Sequence, residues 1–232
     1  LAERAAHVLT VEIDAEIAAI AGRHLAHHHN VTLLTTDALM GKNHLNPRVV
    51  EALLDKRRRK SDRCLLVANL PYNAAAPIVA DLVLDVPQIR TLCFTVQKEV
   101  ADRMAAEPAT SDYGPLSVVL QGLASVKRIA RVPRQAFWPE PEVESAIVRI
   151  EPDDALRAAA GSPRRLAAVA HRLFLHRRKT LWQNLKLAYG EQADALKAAV
   201  AIDWRRRPEQ LAVADWIVLA RVLPPAPTVS AP

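Results

Sequence analysis

Cysteine is almost missing from this chain. The two present, Cys64 and Cys93, sit in apolar runs, and no C-x-x-C occurs. That excludes a disulfide framework, and reduced core thiols in a cytoplasmic protein are expected. Glycine is scarce as well: there are 6, and none before Gly22. Aromatic residues make up 4% of the chain, so each one calls for a reason. No apolar run approaches the roughly 20 residues that cross a bilayer, and no signal peptide is visible. No membrane partner is expected. The first residue is Leu rather than Met, and Leu1–Ala6 reads as the end of a helix. The protein is therefore expected to start upstream of it.

What is present narrows the class. The 232 residues are 50% hydrophobic and 24% charged, enough for one large domain and one small one. The net charge of +6 is unevenly spread. Residues 1–150 carry 18 basic and 17 acidic side chains, and residues 151–232 carry 13 and 8. A basic C-terminal third points to a polyanion, most simply nucleic acid; a solvated basic surface is the alternative.

The most informative stretch is Val67-Ala68-Asn69-Leu70-Pro71-Tyr72-Asn73. The apolar run Cys64–Val67 before it has the character of a buried strand. Asn69 then falls just past the carboxyl end of that strand, where open α/β sheets bind ligands. An adenine amine is a poor nucleophile because its lone pair is delocalised into the ring. An Asn oxygen and a backbone carbonyl can accept its N–H bonds and draw the nitrogen toward tetrahedral geometry. Pro71 stiffens the turn. Tyr72 offers a stacking face, worth about 1–3 kcal/mol per base in single-strand binders.

Strand and helix signals alternate up to residue 150, which predicts a doubly wound α/β sheet. Strands are expected at 8–11, 31–34, 64–67, 92–96, 124–132 and 146–150. Helices are expected at 15–27, 49–60, 77–84, 97–104 and 116–123. In the first helix Ile17, Ile20, Ala21 and Leu25 lie roughly on one face. The helix at 49–60 ends in the basic run Lys56–Lys60. Glu12 and Asp37 each follow a strand, which suits a nucleoside cofactor: Glu12 for ribose hydroxyls and Asp37 for an adenine amine. Either could equally be a loop acid or a helix cap. His24, His27, His28 and His29 have no nearby Cys or acid and are read as solvent-facing, so no metal is expected. Phe137–Ser145 is a proline-stiffened extended loop that could bring Phe137 over a base opposite Tyr72. Beyond residue 152 only helices are expected. One runs from 164 to 189 and carries Arg165, Arg172 and Lys179 on a shared face, thickened by Arg177 and Arg178. Another starts at Pro208 and runs to about Leu223. Residues 224–232 read as a disordered tail.

Taken in order, these stretches resemble the rRNA adenine N6-dimethyltransferases of the small ribosomal subunit. The resemblance is carried by Val11-Glu12-Ile13-Asp14, Thr36-Asp37-Ala38, Asn69–Asn73, Gln97–Ala101 and Tyr113–Val118. It continues through Phe137, Pro139, Pro141, Val143 and Ser145, then Phe174, Arg177–Leu181, Asn184-Leu185 and Arg207–Leu211. It implies a Rossmann-like methyltransferase domain over 1–152 and a helical rRNA-binding domain over 153–223. It also implies S-adenosylmethionine as methyl donor and two adjacent adenines of small-subunit rRNA, in the immature subunit, as target. The implied catalytic set is Asn69, Leu70, Pro71, Tyr72 and Phe137. The implied cofactor set is Glu12, Ile13, Asp37, Ala38 and Asn69. Arg165, Arg172, Arg177, Arg178 and Lys179 are expected on rRNA, and the protein is expected to be a monomer.

Two departures stand out. The family's first strand and its Gly-rich loop, which cradles the methionine part of the cofactor, have no counterpart here. That strand would lie between those ending at Glu12 and at Asn69, so the chain is expected to bind cofactor weakly by itself. Glu142 stands where the family commonly has Lys. The alternatives are a large-subunit rRNA methyltransferase of the resistance type, a DNA adenine methyltransferase, and a non-catalytic ribosome-assembly factor.

Overall fold

The computed structural model describes residues 1–41, 44–54 and 63–224. By compactness it divides into Leu1–Cys64 with Asn73–Ile89, and Leu65–Tyr72 with Arg90 onward.

The first unit is built on a parallel pair, β1 (Val8–Glu12) and β2 (Val31–Thr35), in register from Val8↔Val31 to Glu12↔Thr35. Between them runs α1 (Ala15–Leu25), capped by the Asp14 carboxylate, which accepts from the Glu16 and Ile17 amides. Only Ala18 of α1 is buried. Ile17 and Ile20, expected to face a core, are 53% and 48% exposed, because two five-residue strands offer too narrow a surface to cover the stripe. A small antiparallel pair follows, β3 (Leu39–Met40) and β4 (His44–Leu45), and then α2 (Pro47–Leu53). The expected helix at 49–60 thus starts two residues earlier, at a proline suited to a first turn. The Lys56–Lys60 run lies outside the described residues. α3 (Ala75–Asp85) carries the unit's densest burial, including Val79 and Val83 at 0% exposure.

The second unit holds β5 (Cys64–Asn69) and β6 (Ile89–Gln97), apart from their first residues, with β7 (Ala124–Val132) and β8 (Ser145–Pro152). The order is β5-β6-β8-β7, and β8 is antiparallel to both its neighbours. The sheet is therefore not uniformly parallel. The link from β7 to β8 is a loop with no crossover helix, which permits only the antiparallel return. Leu92, Phe94 and Val96 of β6 stand opposite Ile150, Val148 and Ala146 of β8, in that order, on a face with at most 1% exposure. Among the described strands β1 pairs with β2 alone and β5 with β6 alone.

Seven helices of this unit follow in chain order: α4 (Lys98–Met104), α5 (Pro115–Gln121), α6 (Asp154–Ala160), α7 (Pro163–Phe174), α8 (Leu181–Tyr189), α9 (Ala193–Ala198) and α10 (Val213–Val222). The single helix expected over 164–189 is two. Thr180 starts α8 with a capping box, its hydroxyl on the Gln183 amide and the Gln183 side chain on its own N–H. Buried Asn184 donates to the carbonyls of His176 and Thr180 and closes the turn. The helix expected from Pro208 is likewise split into a 3-10 turn at Pro208–Gln210 and α10. The helical core centres on Phe174 and Trp216, stacked at 5.0 Å between ring centroids, with Tyr113 6.2 Å from Phe174. Burial holds the Tyr113 phenol well above its ordinary pKa. Pro224, expected in the tail, accepts a hydrogen bond from the Tyr189 hydroxyl. The rest of the tail is outside the described residues.

Candidate active site

In the first unit the two acids singled out from the sequence emerge at the same end of the parallel pair. Glu12 ends β1, and its carbonyl accepts from the Thr36 amide at 2.9 Å, one residue before Asp37. Glu12 Oε1 accepts from the Asp14 amide and Asp37 Oδ1 from the Leu39 amide, each at 2.9 Å. The second oxygen of each carboxylate accepts no hydrogen bond among the described residues. Two half-satisfied carboxylates at neighbouring strand ends fit the hydroxyls of a ribose and the amine of an adenine. Ile13 is 65% exposed beside Glu12, and Ala38 is half-buried beside Asp37.

One residue here escaped the sequence reading. Asn46 donates its side-chain amide to Thr36 Oγ1 at 3.1 Å and to the Asp37 carbonyl at 2.9 Å, while its backbone amide donates to the Ala38 carbonyl. Its Oδ1 caps α2 through the Arg48 amide. Asn46 therefore clamps the turn that presents Asp37. The next position back, Leu45, donates its amide to buried Asp81 Oδ2 of α3 at 2.9 Å. An Asn just ahead of a proline at a helix start was a readable cap signal. Its second role was not readable, because it depends on a fold-back across nine residues.

In the second unit Asn69 closes β5 and is exposed, its side chain engaged by no hydrogen bond among the described residues. Leu70 is buried at 7% exposure and its amide donates to the Thr95 carbonyl, which fixes the turn onto β6. Pro71 is exposed and Tyr72 half-buried. The Tyr72 hydroxyl shares a 2.7 Å hydrogen bond with Ser145 Oγ, fully buried at the head of β8. The Phe137 loop leads into that same strand start. Its Phe137 amide donates to the Arg134 carbonyl. Arg134 reaches forward to the Glu142 carbonyl and the Glu140 carboxylate. Arg131 makes a forked pair with Glu144, at 3.0 and 2.7 Å. Tyr72 is thus tied to the start of β8, and Phe137 lies on the braced loop that enters the same strand.

The basic stripe is rearranged by the break between α7 and α8. Arg165 donates to the Leu223 carbonyl at 2.7 Å. Arg177 is bound to the Glu209 carboxylate and the Thr110 carbonyl. Both therefore hold the helical region together. Arg172 is half-buried, its Nε without a hydrogen-bond partner, beside a small cleft of about 160 Å³ shared with His176 and Asn184. Arg178 and Lys179 stand exposed in the turn. His24, His27 and His29 are exposed, and among the described residues no His, Cys, Asp and Glu cluster could hold a metal.

An α/β fold with acids at two neighbouring strand ends and Asn-Leu-Pro-Tyr at another defines a methyltransferase class that acts on an exocyclic amine of a nucleic-acid base. More particularly, the chain belongs to the ribosomal RNA adenine dimethylase family, whose model matches residues 1–223. It is 35% identical to the ribosomal RNA small subunit methyltransferase A of Pediococcus pentosaceus, over 94% of this chain and 73% of that protein. It is 37% identical to the protein of the same name from Geobacillus kaustophilus, over 97% and 76%. Among solved structures it is similar to a dimethyladenosine transferase from Plasmodium falciparum, with TM-score 0.67 and 20% identity over 92% of this chain and 80% of that one. It is also similar to the 23S rRNA methyltransferase ErmE, with TM-score 0.59 and 24% identity over 96% and 84%. Those two likenesses establish the fold. The family's methyl donor is S-adenosylmethionine, and the free carboxylate oxygens of Glu12 and Asp37 fit its nucleoside half.

Proposed function

We propose that this protein dimethylates the N6 amines of adjacent adenines near the 3′ end of small-subunit rRNA, acting as a cytoplasmic monomer on the immature subunit. The observation that carries the reading is the unengaged Asn69 amide beside a turn pinned to β6, with the Tyr72 hydroxyl pinned to Ser145. The Asn69 side-chain oxygen and the Leu70 carbonyl accept the two N–H bonds of the target amine and free its lone pair. Pro71 keeps that carbonyl in place, and Tyr72 and Phe137 take the two faces of the base. S-adenosylmethionine, when bound, would supply an electrophilic methyl on its sulfonium for that lone pair, the electrons of the C–S bond leaving with the thioether. The amine proton becomes acidic only after that, and it leaves to solvent, so no side chain is assigned as general base. Positioning and charge supply most of the rate.

Glu12 and Asp37 hold the ribose and adenine of the donor, flanked by Ile13 and Ala38. Residues 1–152 form the methyl-transfer part and 153–223 the rRNA-binding part. Within the latter Arg178 and Lys179, with Arg172, meet phosphates, whereas Arg165 and Arg177 act through the fold they brace.

The test is single-turnover methylation of unmodified small and, separately, large ribosomal subunits. Millimolar methyl donor keeps weak cofactor affinity from limiting the readout, and N6,N6-dimethyladenosine is measured by mass spectrometry. Asn69→Ala is expected to slow transfer by about 100-fold or more, as loss of one transition-state hydrogen-bonding group does, while RNA binding persists. Product confined to large subunits, or unchanged by Asn69→Ala, defeats the reading.

A further inference from the structure

The residue after Phe137 is the most exposed aromatic side chain in the protein. Trp138 is 96% exposed. Tyr113, Tyr189, Phe94, Phe174, Trp204 and Trp216 all lie at or below 8% exposure. Trp182 is half-buried, with Lys186 and Lys197 at 4.6 and 4.5 Å from its ring centre. In a chain with so few aromatics, one indole held wholly in water costs the fold its largest apolar side chain and returns nothing to the core.

The backbone that presents it is braced on both flanks. Ahead of it the Phe137 amide is bonded to the Arg134 carbonyl. Behind it Arg134 holds the Glu142 carbonyl and pairs with Glu140, Arg131 forks onto Glu144, and the Lys98 amide donates to the Glu144 carbonyl. Little loop entropy remains to be lost on binding. Phe137 itself is extended, at φ −117° and ψ 151°. Successive side chains on an extended segment point to opposite sides, so a half-buried Phe137 leaves Trp138 facing outward.

We propose that Trp138 is a second stacking platform, which takes the unpaired RNA base next to the target adenine while Phe137 takes the target itself. This rests on the reading of Phe137 as one face of the target clamp. A flat base suits an exposed indole because every base has a π face, and stacking of this kind needs no hydrogen-bond pattern. RNA is favoured over a protein partner because the neighbouring residue is assigned to RNA; Arg131 and Arg134 beside the loop are paired with Glu144 and Glu140, so stacking rather than charge carries the contact.

The test is a cycle between protein and RNA. The probe is a fluorescein-labelled hairpin from the 3′ end of small-subunit rRNA, intact or with an abasic site at either nucleotide flanking the target, read by anisotropy. Trp138→Ala is expected to weaken binding of the intact hairpin about tenfold or more, with Trp138→Phe intermediate. The salt dependence should not change, since no phosphate contact is lost. One of the two abasic sites should weaken the unaltered protein by a similar factor and leave Trp138→Ala unaffected. Equal binding by Trp138→Ala, or a full abasic penalty in that variant, overturns the proposal. So does a loss seen on intact subunits but not on naked RNA, which would place the ring against protein. Because Trp138 is exposed, the melting temperature should not move. If Asn69→Ala leaves methyl transfer unchanged, the reading of the site fails while the outcome of this cycle still stands.

Discussion

The two compact units bury their strands very differently. In the first, no residue of β1 or β2 is buried, and Ile13, Ile17 and Ile20 face water. In the second, β6 and β8 interleave side chains with at most 1% exposure, and Trp216, Tyr113 and Leu120 are fully enclosed. The acids read as cofactor ligands therefore sit on a lightly packed scaffold held by hydrogen bonds. The Asn-Leu-Pro-Tyr turn follows β5, which is not the buried strand expected, since Leu65 and Val67 are 58% and 53% exposed, but buried Leu70 and its bond to Thr95 pin the turn to densely packed β6. Substitutions should act on the β1–β2 pair and its turns chiefly through polar contacts and on the β6–β8 face and the helical core through volume.

The largest test of that contrast is a pair of truncations. Trp216→Ala removes a fully buried ring stacked on Phe174 and should cost about 3–5 kcal/mol. Leu33→Ala on β2, already half-exposed, should cost no more than about 1–2 kcal/mol by the area it loses. Urea unfolding, followed with a probe in each unit, measures both. Comparable losses at the two sites would abolish the contrast.

How far the sequence announced this arrangement follows the same divide. Strand runs such as Leu92–Val96 were legible because burial on one face imposes alternation. Asn69 and its neighbours were legible because their chemistry is local. The break after Phe174 was missed because the apolar period of α7 resumes in α8 almost in phase, at Leu181 and Leu185. Only the Thr180 and Gln183 capping pair, a spacing of three that a long amphipathic pattern hides, marks the new start. The roles of Arg165 and Arg177 were missed for another reason. Their partners, Leu223 and Glu209, lie 58 and 32 residues away, and a helical face read from spacing cannot reveal a long-range bond. Ser145 was visible as part of a motif, but its hold on Tyr72 spans 73 residues.

A middle-sized effect should come from Asn46, where the first unit relies on hydrogen bonds. Asn46→Ala loses both the cap on α2 and the grip on Thr36 and Asp37. Asn46→Asp keeps the cap, since Asp serves as well there, but has no N–H to give. The Ala variant should lose about 1 kcal/mol of stability and the Asp variant much less. Both should speed exchange of the Leu39 amide, which Asp37 Oδ1 accepts, by about tenfold. If Asp restores Leu39 protection, Asn46 is a helix cap and nothing more.

The smallest effect tests whether the second unit owes anything to charge. Asp102 Oδ2 lies 2.8 Å from Lys98 Nζ, and its other oxygen pairs with Arg128 of β7. Partial burial pushes its pKa up, but the hydrogen bond and charge of Lys98, with those of Arg128, outweigh it and leave the carboxyl below its ordinary value. The folded state thus binds the proton less readily than the unfolded one. The contribution is complete above the unfolded value of about 3.9 and fades as pH falls through the lower folded value. Lys98 and Arg128 are 41% and 47% exposed, so screening limits the gain to well under 1 kcal/mol. Asp102→Asn should therefore have a slightly lower urea midpoint than the unaltered protein at pH 6, and the two should converge as pH falls through the lowered folded-state value, beneath which both side chains are neutral. A gap that persists in acid would mean the residue acts by shape rather than charge, and would leave apolar burial as what holds this unit.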